Sequence, residues 1–419
     1  MAYALKKSNG TATPPLSTSD LNRRALAGLR RRWAGVTLLY IVVIGLIFWR
    51  LATVWQVQYA GRWLVLASIV AVRELWLLWS SLPANHREDE ERLLPTLGYG
   101  TALTIGRGLA IVLLAGFIFS PRPPGWWAWL PALLYTIGAI FDFLDGYVAR
   151  ITNHATKLGE HLDMEFDVVG IFAAVLLAIS YGQLPVWYLL LGLAREIFLF
   201  GHWTLRKMGR PVYDLPPSAD RRLTAGLQMG FLCVVLWPVF SPPATTVAAL
   251  LFAIPMVISF GRDWLVTSGM MRQESQQYRR IRAVAKQILE QWVPLVARLV
   301  GTIAGLRLLV ASVPLFDGWL AHAAQIGLNI GAPALWLIVV LSAVALVFFA
   351  AGIVGRLVAI VLIALASWDV LAAGFYWPTN GLLLASAIIV LQLGSGAFAL
   401  WQPEEALLRH RAGDRRMAN

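Results

Sequence analysis

The sequence predicts an all-α integral membrane protein of about twelve spans, each an apolar run of near-spanning length. Three observations predict it. Apolar residues make up 58% of the 419-residue chain and charged ones only 14%, against about a quarter charged in soluble domains. The apolar residues gather in runs that approach the ~20 residues a spanning helix needs. The positive charges fall in alternate gaps between those runs, the pattern that orients a chain in a bilayer.

Residues 1–32 form a polar, basic N-terminal segment with Pro14 and Pro15. It reads as disordered chain ending in a short basic helix around Arg23, Arg24, Arg30, Arg31 and Arg32. Such a lead is too long for a usual cleavable signal. Residues 33–99 hold two apolar runs, near 33–54 and 62–82, and a charged loop; the second run carries Arg73 and Glu74. Six further spans are expected within 100–266, near 101–120, 126–142, 163–181, 185–204, 223–240 and 244–265. Residues 267–290 form a basic linker, with an amphipathic helix on anionic lipid expected over 272–290 from Arg279, Arg280, Arg282 and Lys286. Four more runs, near 293–313, 333–353, 357–376 and 380–400, build a block over 291–402 whose role the residues leave open. Residues 403–419 are a basic tail with Arg409, Arg411, Arg415 and Arg416.

The net charge of +12 is dispersed among the loops instead of gathered in one patch. Contact with anionic lipid and control of topology explain it, and no nucleic-acid partner is expected. Positive residues collect in the N-terminus, 83–100, 143–160, 205–222, 266–290 and the tail, while the opposite loops hold little beyond Arg62 and Arg122. Both termini and loop 143–160 therefore belong on the cytoplasmic side. The single cysteine, Cys233, excludes an internal disulfide.

The chemistry concentrates in 141–167, FDFLDGYVARITNHATKLGEHLDMEFD. Asp142 and Asp145 are three apart, and Asp163 and Asp167 are four apart. On helices each pair shares one face. Four carboxylates at a membrane edge repel one another and resist desolvation. A pair of divalent cations with oxygen ligands answers both problems.

The spacing D-x2-D-G-x2-A-R-x8-G-x3-D-x3-D is met without departure by Asp142, Asp145, Gly146, Ala149, Arg150, Gly159, Asp163 and Asp167. It resembles the motif of the CDP-alcohol phosphotransferase (CDP-alcohol phosphatidyltransferase) family. That resemblance implies a six-helix core over 100–266, with about two extra transmembrane helices before it and four after it. It implies transfer of a phosphatidyl group from CDP-diacylglycerol to an alcohol, with CMP leaving. It implies two ions, Mg²⁺ or Mn²⁺, with Asp142, Asp145 and Asp163 as ligands. Asp167 becomes the general base and touches a metal as well. Gly146, Ala149, Arg150 and Gly159 are assigned to the nucleotide and diphosphate. So are Thr104 and Arg107 of LTIGR, which resembles the family's L-T-x-x-R element, although Gly100 and Thr101 stand in the region where Pro-Asn is usual. A homodimer through core helices and the plasma membrane of a prokaryote are further implications.

For the acceptor, Arg195 and Glu196 form an ionisable pair inside the apolar run LLLGLAREIFLF, a functional candidate by default. Arg206, Lys207, Arg210, Arg221 and Arg222 follow, and arginine suits forked binding of phosphate. The stretches ARE and RRLTAGLQM resemble the phosphatidylglycerophosphate synthase branch of the family. Aligned on Gln228, that branch's two lysines fall on Arg222 and Thr224, its threonine on Ala225, and an arginine on Trp203. Glycerol 3-phosphate is the first expectation for the acceptor, then inositol phosphate, then a neutral headgroup or a second phospholipid. A transporter, or a scaffold with an inert core, is the alternative class. A transporter would spread its acidic residues through the membrane depth, whereas these four crowd at one face.

Overall fold

The computed structural model describes residues 18–215, 219–271, 276–312, 316–325 and 331–405. The chain is an all-α membrane protein. Regular structure among the described residues is helical, apart from an isolated bridge between Ile353 and Trp401. Among the described residues, seven helices are long and apolar enough to cross a bilayer, and two shorter apolar ones are Tyr99–Ala115 and Trp377–Leu393. The expected spans near 163–181, 185–204 and 223–240 are not among the seven. Their helices bear the motif aspartates or run to only 14 and 17 residues.

The chain divides into two compact units, one built from residues up to 116 with 137–170, the other from 117–136 with 171 onward. In the first, α1 spans Thr18–Val54 and α2 spans Val57–Ser81. The basic stretch at Arg23–Arg32 and the first apolar run are thus one continuous helix of 37 residues. Trp33 on α1 donates its indole N–H to Leu75 O of α2 at 2.8 Å. Trp63 on α2 donates to Leu113 O, at 3.1 Å, on α3, Tyr99–Ala115. These indoles are apolar bodies with one satisfied donor each, suited to buried helix contacts.

α4, Leu130–Ile151, and α5, Lys157–Ser180, bring the motif into this unit. Asn153, with φ 51°, turns the chain out of α4, a conformation asparagine tolerates. Thr156 then caps α5, its Oγ1 accepting the Gly159 N–H at 3.1 Å. Loop 82–98 packs on this turn. Asn85 Nδ2 donates to Leu94 O and Thr96 O at 2.9 and 3.0 Å. The Lys157 N–H donates to His86 O at 3.1 Å.

The second unit contains α6 (Leu189–Gly192), α7 (Ala194–Lys207), α8 (Ala219–Val235), α9 (Ala244–Thr267) and α10 (Gln276–Gln287), then α11 (Val293–Ser312), α12 (Phe316–Gln325), α13 (Ala332–Ala351), α14 (Gly355–Ala373) and α15 (Leu382–Leu393). Its buried charges are tied down locally. Arg298 on α11 donates to the carbonyls of Phe349, Ser395 and Ala397 at 3.0, 2.8 and 3.0 Å, and also to Ala350 O. Asp369 accepts from Trp319 Nε1 at 3.1 Å and from Asn380 Nδ2 at 2.9 Å. Arg356 pairs with Glu405 at 2.6 Å. α10 occupies part of the expected amphipathic linker; the side chains of Arg279 and Arg282, and the tail from 406, lie outside the described residues.

Candidate active site

Three helices of the first unit build the site. Asp142 and Asp145 stand one turn apart on α4, Asp163 and Asp167 one turn apart on α5, and Thr104 and Arg107 one turn apart on α3. One carboxylate oxygen from each of Asp142, Asp145 and Asp163 lies within 4.8 Å of the others. Converging hard oxygens of this kind fit a divalent cation such as Mg²⁺ or Mn²⁺. Asp167 is not in that triad, but it reaches the same arginine.

Each aspartate has a partner on α3. Thr104 donates its hydroxyl to Asp145 Oδ2 at 2.8 Å. Arg107, only 2% exposed, donates Nη1 to Asp167 Oδ1 at 2.9 Å and Nη2 to Asp163 Oδ1 at 2.7 Å. It also forms an ion pair with Asp142. One guanidinium thus sets three carboxylates at once, from a rigid planar fork of donors. Asp163 and Asp167 keep side-chain exposures of 44% and 40%, so solvent and ligands can reach them.

Beside the aspartates is a cavity of about 300 Å³, lined by Thr104, Asp145, Gly146, Ala149, Arg150, Gly159 and Asp163 together with Gly100, Thr101, His154, Thr156 and Lys157. α3 and α4 touch backbone to backbone there. A Cβ on Gly100 would lie 2.7 Å from Ala149 Cβ and 2.8 Å from Asp145 O. The small residues of the motif therefore let two helices approach and leave the space between aspartates and loop open.

The structure gathers Asp142, Asp145, Asp163, Asp167, Thr104 and Arg107 into one hydrogen-bonded cluster, and Thr104, Gly146, Ala149, Arg150 and Gly159 around one cavity. Arg107 is not on the cavity wall; its guanidinium is turned to the aspartates. Sequence reasoning missed His154, Thr156 and Lys157 as site residues, and noted Thr101 only as standing where Pro-Asn is usual. The only signal of the first three is position, inside the loop that the motif leaves unspecified. The acceptor candidates lie in the second unit. Arg195 is 3.6 Å from Glu196 and half exposed, Arg221 is 3.3 Å from Asp263, and Arg206, Arg210 and Arg222 are exposed. Gln228 is hydrogen-bonded to the Tyr188 hydroxyl.

Comparison with known proteins follows the same residues. Residues 99–273 match the family model described as CDP-alcohol phosphatidyltransferase. The CDP-diacylglycerol–glycerol-3-phosphate 3-phosphatidyltransferase of Rickettsia bellii is 33% identical over 137 residues, which cover 32% of this chain and 72% of that protein. The chain belongs to the CDP-alcohol phosphatidyltransferase family. The protein of the same name from Cereibacter sphaeroides is 33% identical over 88 residues, but they cover only 20% of this chain and 39% of the relative. A putative cardiolipin synthase of Mycobacterium tuberculosis is 27% identical over 149 residues, 34% of this chain and 69% of that protein. No solved structure matches. α1, α2 and everything after residue 273 lie outside the family match.

Proposed function

We propose that the protein transfers a phosphatidyl group from CDP-diacylglycerol to an alcohol, first of all sn-glycerol 3-phosphate, releasing CMP. The observation that carries this reading is the aspartate triad within 4.8 Å, pinned by Thr104 and Arg107 at the edge of a cavity walled by the motif's small residues.

Asp142, Asp145, Asp163 and Asp167 would hold two ions, Mg²⁺ or Mn²⁺, which supply charge neutralisation of the diphosphate and of the departing CMP. The chain's own residues do the rest. Gly146, Ala149 and Gly159 leave room for cytidine and diphosphate against the helix backbones. Arg150 and Lys157, both on the cavity wall, offer positive charge to the phosphates. Asp167 takes the proton of the acceptor hydroxyl. The hydroxyl oxygen then bonds to the phosphatidyl phosphorus, and the bond from that phosphorus to the CMP oxygen breaks. Arg195, Arg206, Arg210, Arg221 and Arg222 are the proposed holders of the acceptor's phosphate.

The name printed for the Mycobacterium tuberculosis relative supports a second reading, in which the acceptor is itself a phospholipid. The same chemistry with inositol phosphate or a neutral headgroup alcohol stands behind these two. A cytoplasmic site, a prokaryotic plasma membrane and a homodimer complete the proposal. The clustering of all four aspartates speaks against a transporter, and their full set of partners against an inert scaffold.

The test is CMP release by purified protein with CDP-diacylglycerol and Mn²⁺, offering glycerol 3-phosphate, inositol phosphate, phosphatidylglycerol, serine and glycerol in separate reactions. Release that needs glycerol 3-phosphate and vanishes in Asp163→Ala is the expected result. Release with another acceptor corrects the acceptor alone, and no release with any of them overturns the reading.

A further inference from the structure

A second cavity, of about 390 Å³, lies wholly within the second unit. Leu251, Ile254, Pro255, Ile258, Ser259 and Arg262 of α9 line it, and at helical spacing these positions share one face. Residues of α10, the start of α11 and the end of α15 form the facing walls. The family match ends at residue 273, so the cavity joins a matched helix to the unmatched C-terminal block. At the Leu251 end the wall is preformed. Pro255 has no N–H to give the Leu251 carbonyl one turn back. Gln392 of α15 donates Nε2 to that carbonyl instead, at 3.2 Å, and so ties α15 to α9.

The lining changes character along α9. It is hydrocarbon from Leu251 to Ile258 and turns polar at Ser259 and Arg262. Leu251 to Arg262 is eleven residues, about 16 Å of helix, which is about one leaflet of a ~30 Å hydrocarbon core. α9 is itself one of the apolar spans. The charged groups of the lining are Arg262, Lys286 and Glu290. Lys286 and Glu290 offset each other at 3.7 Å. Arg262 donates Nε and Nη2 to Asp263 Oδ1 at 3.1 and 2.8 Å. Asp263 also takes a bond from Arg221 at 3.3 Å, so two guanidiniums share one carboxylate and a positive charge is left over. Among the described residues, Arg262 Nη1 makes no hydrogen bond.

We propose that this cavity is a binding site for an anionic diacyl phospholipid, with an acyl chain along α9 from Ile258 to Leu251 and the phosphodiester at Arg262. Hydrocarbon-lined cavities stay dry and take apolar guests. Ligand pockets of this size combine apolar walls with a few placed polar groups, and basic pockets between spanning helices hold acidic headgroups. A free anion would leave the apolar length of the wall unused, and a neutral lipid would leave the surplus charge of Arg262 unmet. The lipid touches both α9 and the C-terminal block, so those extra helices gain a role in holding it. The proposal needs only that the chain spans a membrane, and it stands apart from the phosphatidyl-transfer reading.

The experiment is native mass spectrometry of the purified full-length protein in detergent, titrated with phosphatidylglycerol or phosphatidylcholine and without CDP-diacylglycerol. Wild type is expected to retain phosphatidylglycerol about tenfold more tightly than phosphatidylcholine, the effect of a hydrogen bond to a charged group. Arg262→Gln is expected to lose that preference and to hold phosphatidylcholine as wild type does. Ile258→Trp, which fills the apolar part, is expected to lose tight retention of both lipids. Asp163→Ala is expected to bind as wild type, because the lipid is not in the catalytic site, and millimolar inorganic phosphate is expected not to displace it. Unchanged retention in Arg262→Gln and Ile258→Trp overturns the site. Equal retention of the two lipids by wild type overturns the anionic headgroup, and displacement by phosphate overturns the lipid. Loss in Asp163→Ala would move the bound lipid to the aspartates and overturn the proposal as well. If Ile258→Trp does not purify folded, Ile254→Phe adds bulk on the same face and carries the same expectation.

Discussion

Thr104 on α3 donates its hydroxyl to Asp145 on α4 across 2.8 Å, and both side chains are buried. This bond fixes the most enclosed of the four aspartates and makes α3 part of the ligand set without contributing a ligand. Partners that orient metal-binding carboxylates usually matter about 10- to 100-fold in affinity. Thr104→Val, which keeps the shape and removes the hydroxyl, is therefore expected to weaken Mn²⁺ binding at least tenfold. Thr104→Ser should bind nearly as wild type. Equal weakening in both would show that the methyl group matters and the hydrogen bond does not.

Asp167 differs from the other three. It stands outside the close triad, bonds Arg107 at 2.9 Å, and keeps 40% of its side chain exposed. Asp167→Asn is expected to lower turnover by about 10²–10⁴, the range of a lost general base, while CDP-diacylglycerol still binds. Asp163→Asn should lose both. Rapid-quench measurement of CMP release, beside equilibrium binding of the donor lipid, separates the two. Loss of donor binding in Asp167→Asn would place it among the ligands alone.

Gly100 tests the helix crossing. Even one methyl group there would fall 2.7 Å from Ala149 Cβ and 2.8 Å from Asp145 O, contacts that backbone cannot relieve cheaply. Gly100→Ala is expected to cost about 1–3 kcal/mol, the usual penalty of overpacking, and to raise the KM for the donor, because α4 must move away from α3. Gly146→Ala meets only the flexible end of Arg150, at 3.3 Å, and should leave stability nearly unchanged. Thermal unfolding of both variants decides; equal losses would mean that the crossing is looser than drawn.

The aspartate stripe was legible because helical spacing alone puts Asp142 with Asp145 and Asp163 with Asp167 on shared faces, and the motif named their neighbours. The role of Arg107 was not. Spacing places it one turn from Thr104 but does not say that its guanidinium turns toward three carboxylates. Lys157 and Thr156 were invisible for another reason: they sit in the unspecified part of the motif and are brought to the cavity by the capped turn into α5. The first apolar run was recognised, but its fusion with the basic stretch into one helix from Thr18 was not, since charged residues can continue a helix past a membrane surface without an apolar signal. Glu74 drew notice only as a charge in an apolar run; its burial depends on glycine at 108, sequence-distant and unreadable as a contact.

The acceptor side offers a sharper test on Arg195. It is half exposed and held only by Glu196, at 3.6 Å, so it is available to a phosphate. A hydrogen bond to a charged group contributes about 1.5–3 kcal/mol, roughly ten- to a hundredfold in affinity. Arg195→Ala is expected to raise the KM for glycerol 3-phosphate by that factor and to leave the KM for CDP-diacylglycerol within about twofold. Steady-state kinetics with each substrate varied in turn gives both values. Equal changes would remove Arg195 from the proposed acceptor-binding residues.

Arg298 lies far outside the family match, and its environment predicts a purely structural effect. Its guanidinium is 2% exposed and serves the carbonyls of Phe349, Ala350, Ser395 and Ala397. Phe349 and Ala350 lie in the last turn of α13, and Ser395 and Ala397 in the segment that follows α15. Arg298→Met keeps an apolar stem but takes the arginine donors away from the carbonyls of Ala350, Ser395 and Ala397, while Phe349 O keeps the Gly352 N–H. Each unsatisfied group costs about 1–3 kcal/mol, so a loss of roughly 3 kcal/mol or more is expected in thermal unfolding. Arg298 shares no hydrogen-bond partner with the aspartates, so below the lowered melting temperature Mn²⁺ affinity is expected to equal that of wild type. A stable variant with weakened Mn²⁺ binding would reverse the assignment and give the C-terminal helices a hand in the chemistry.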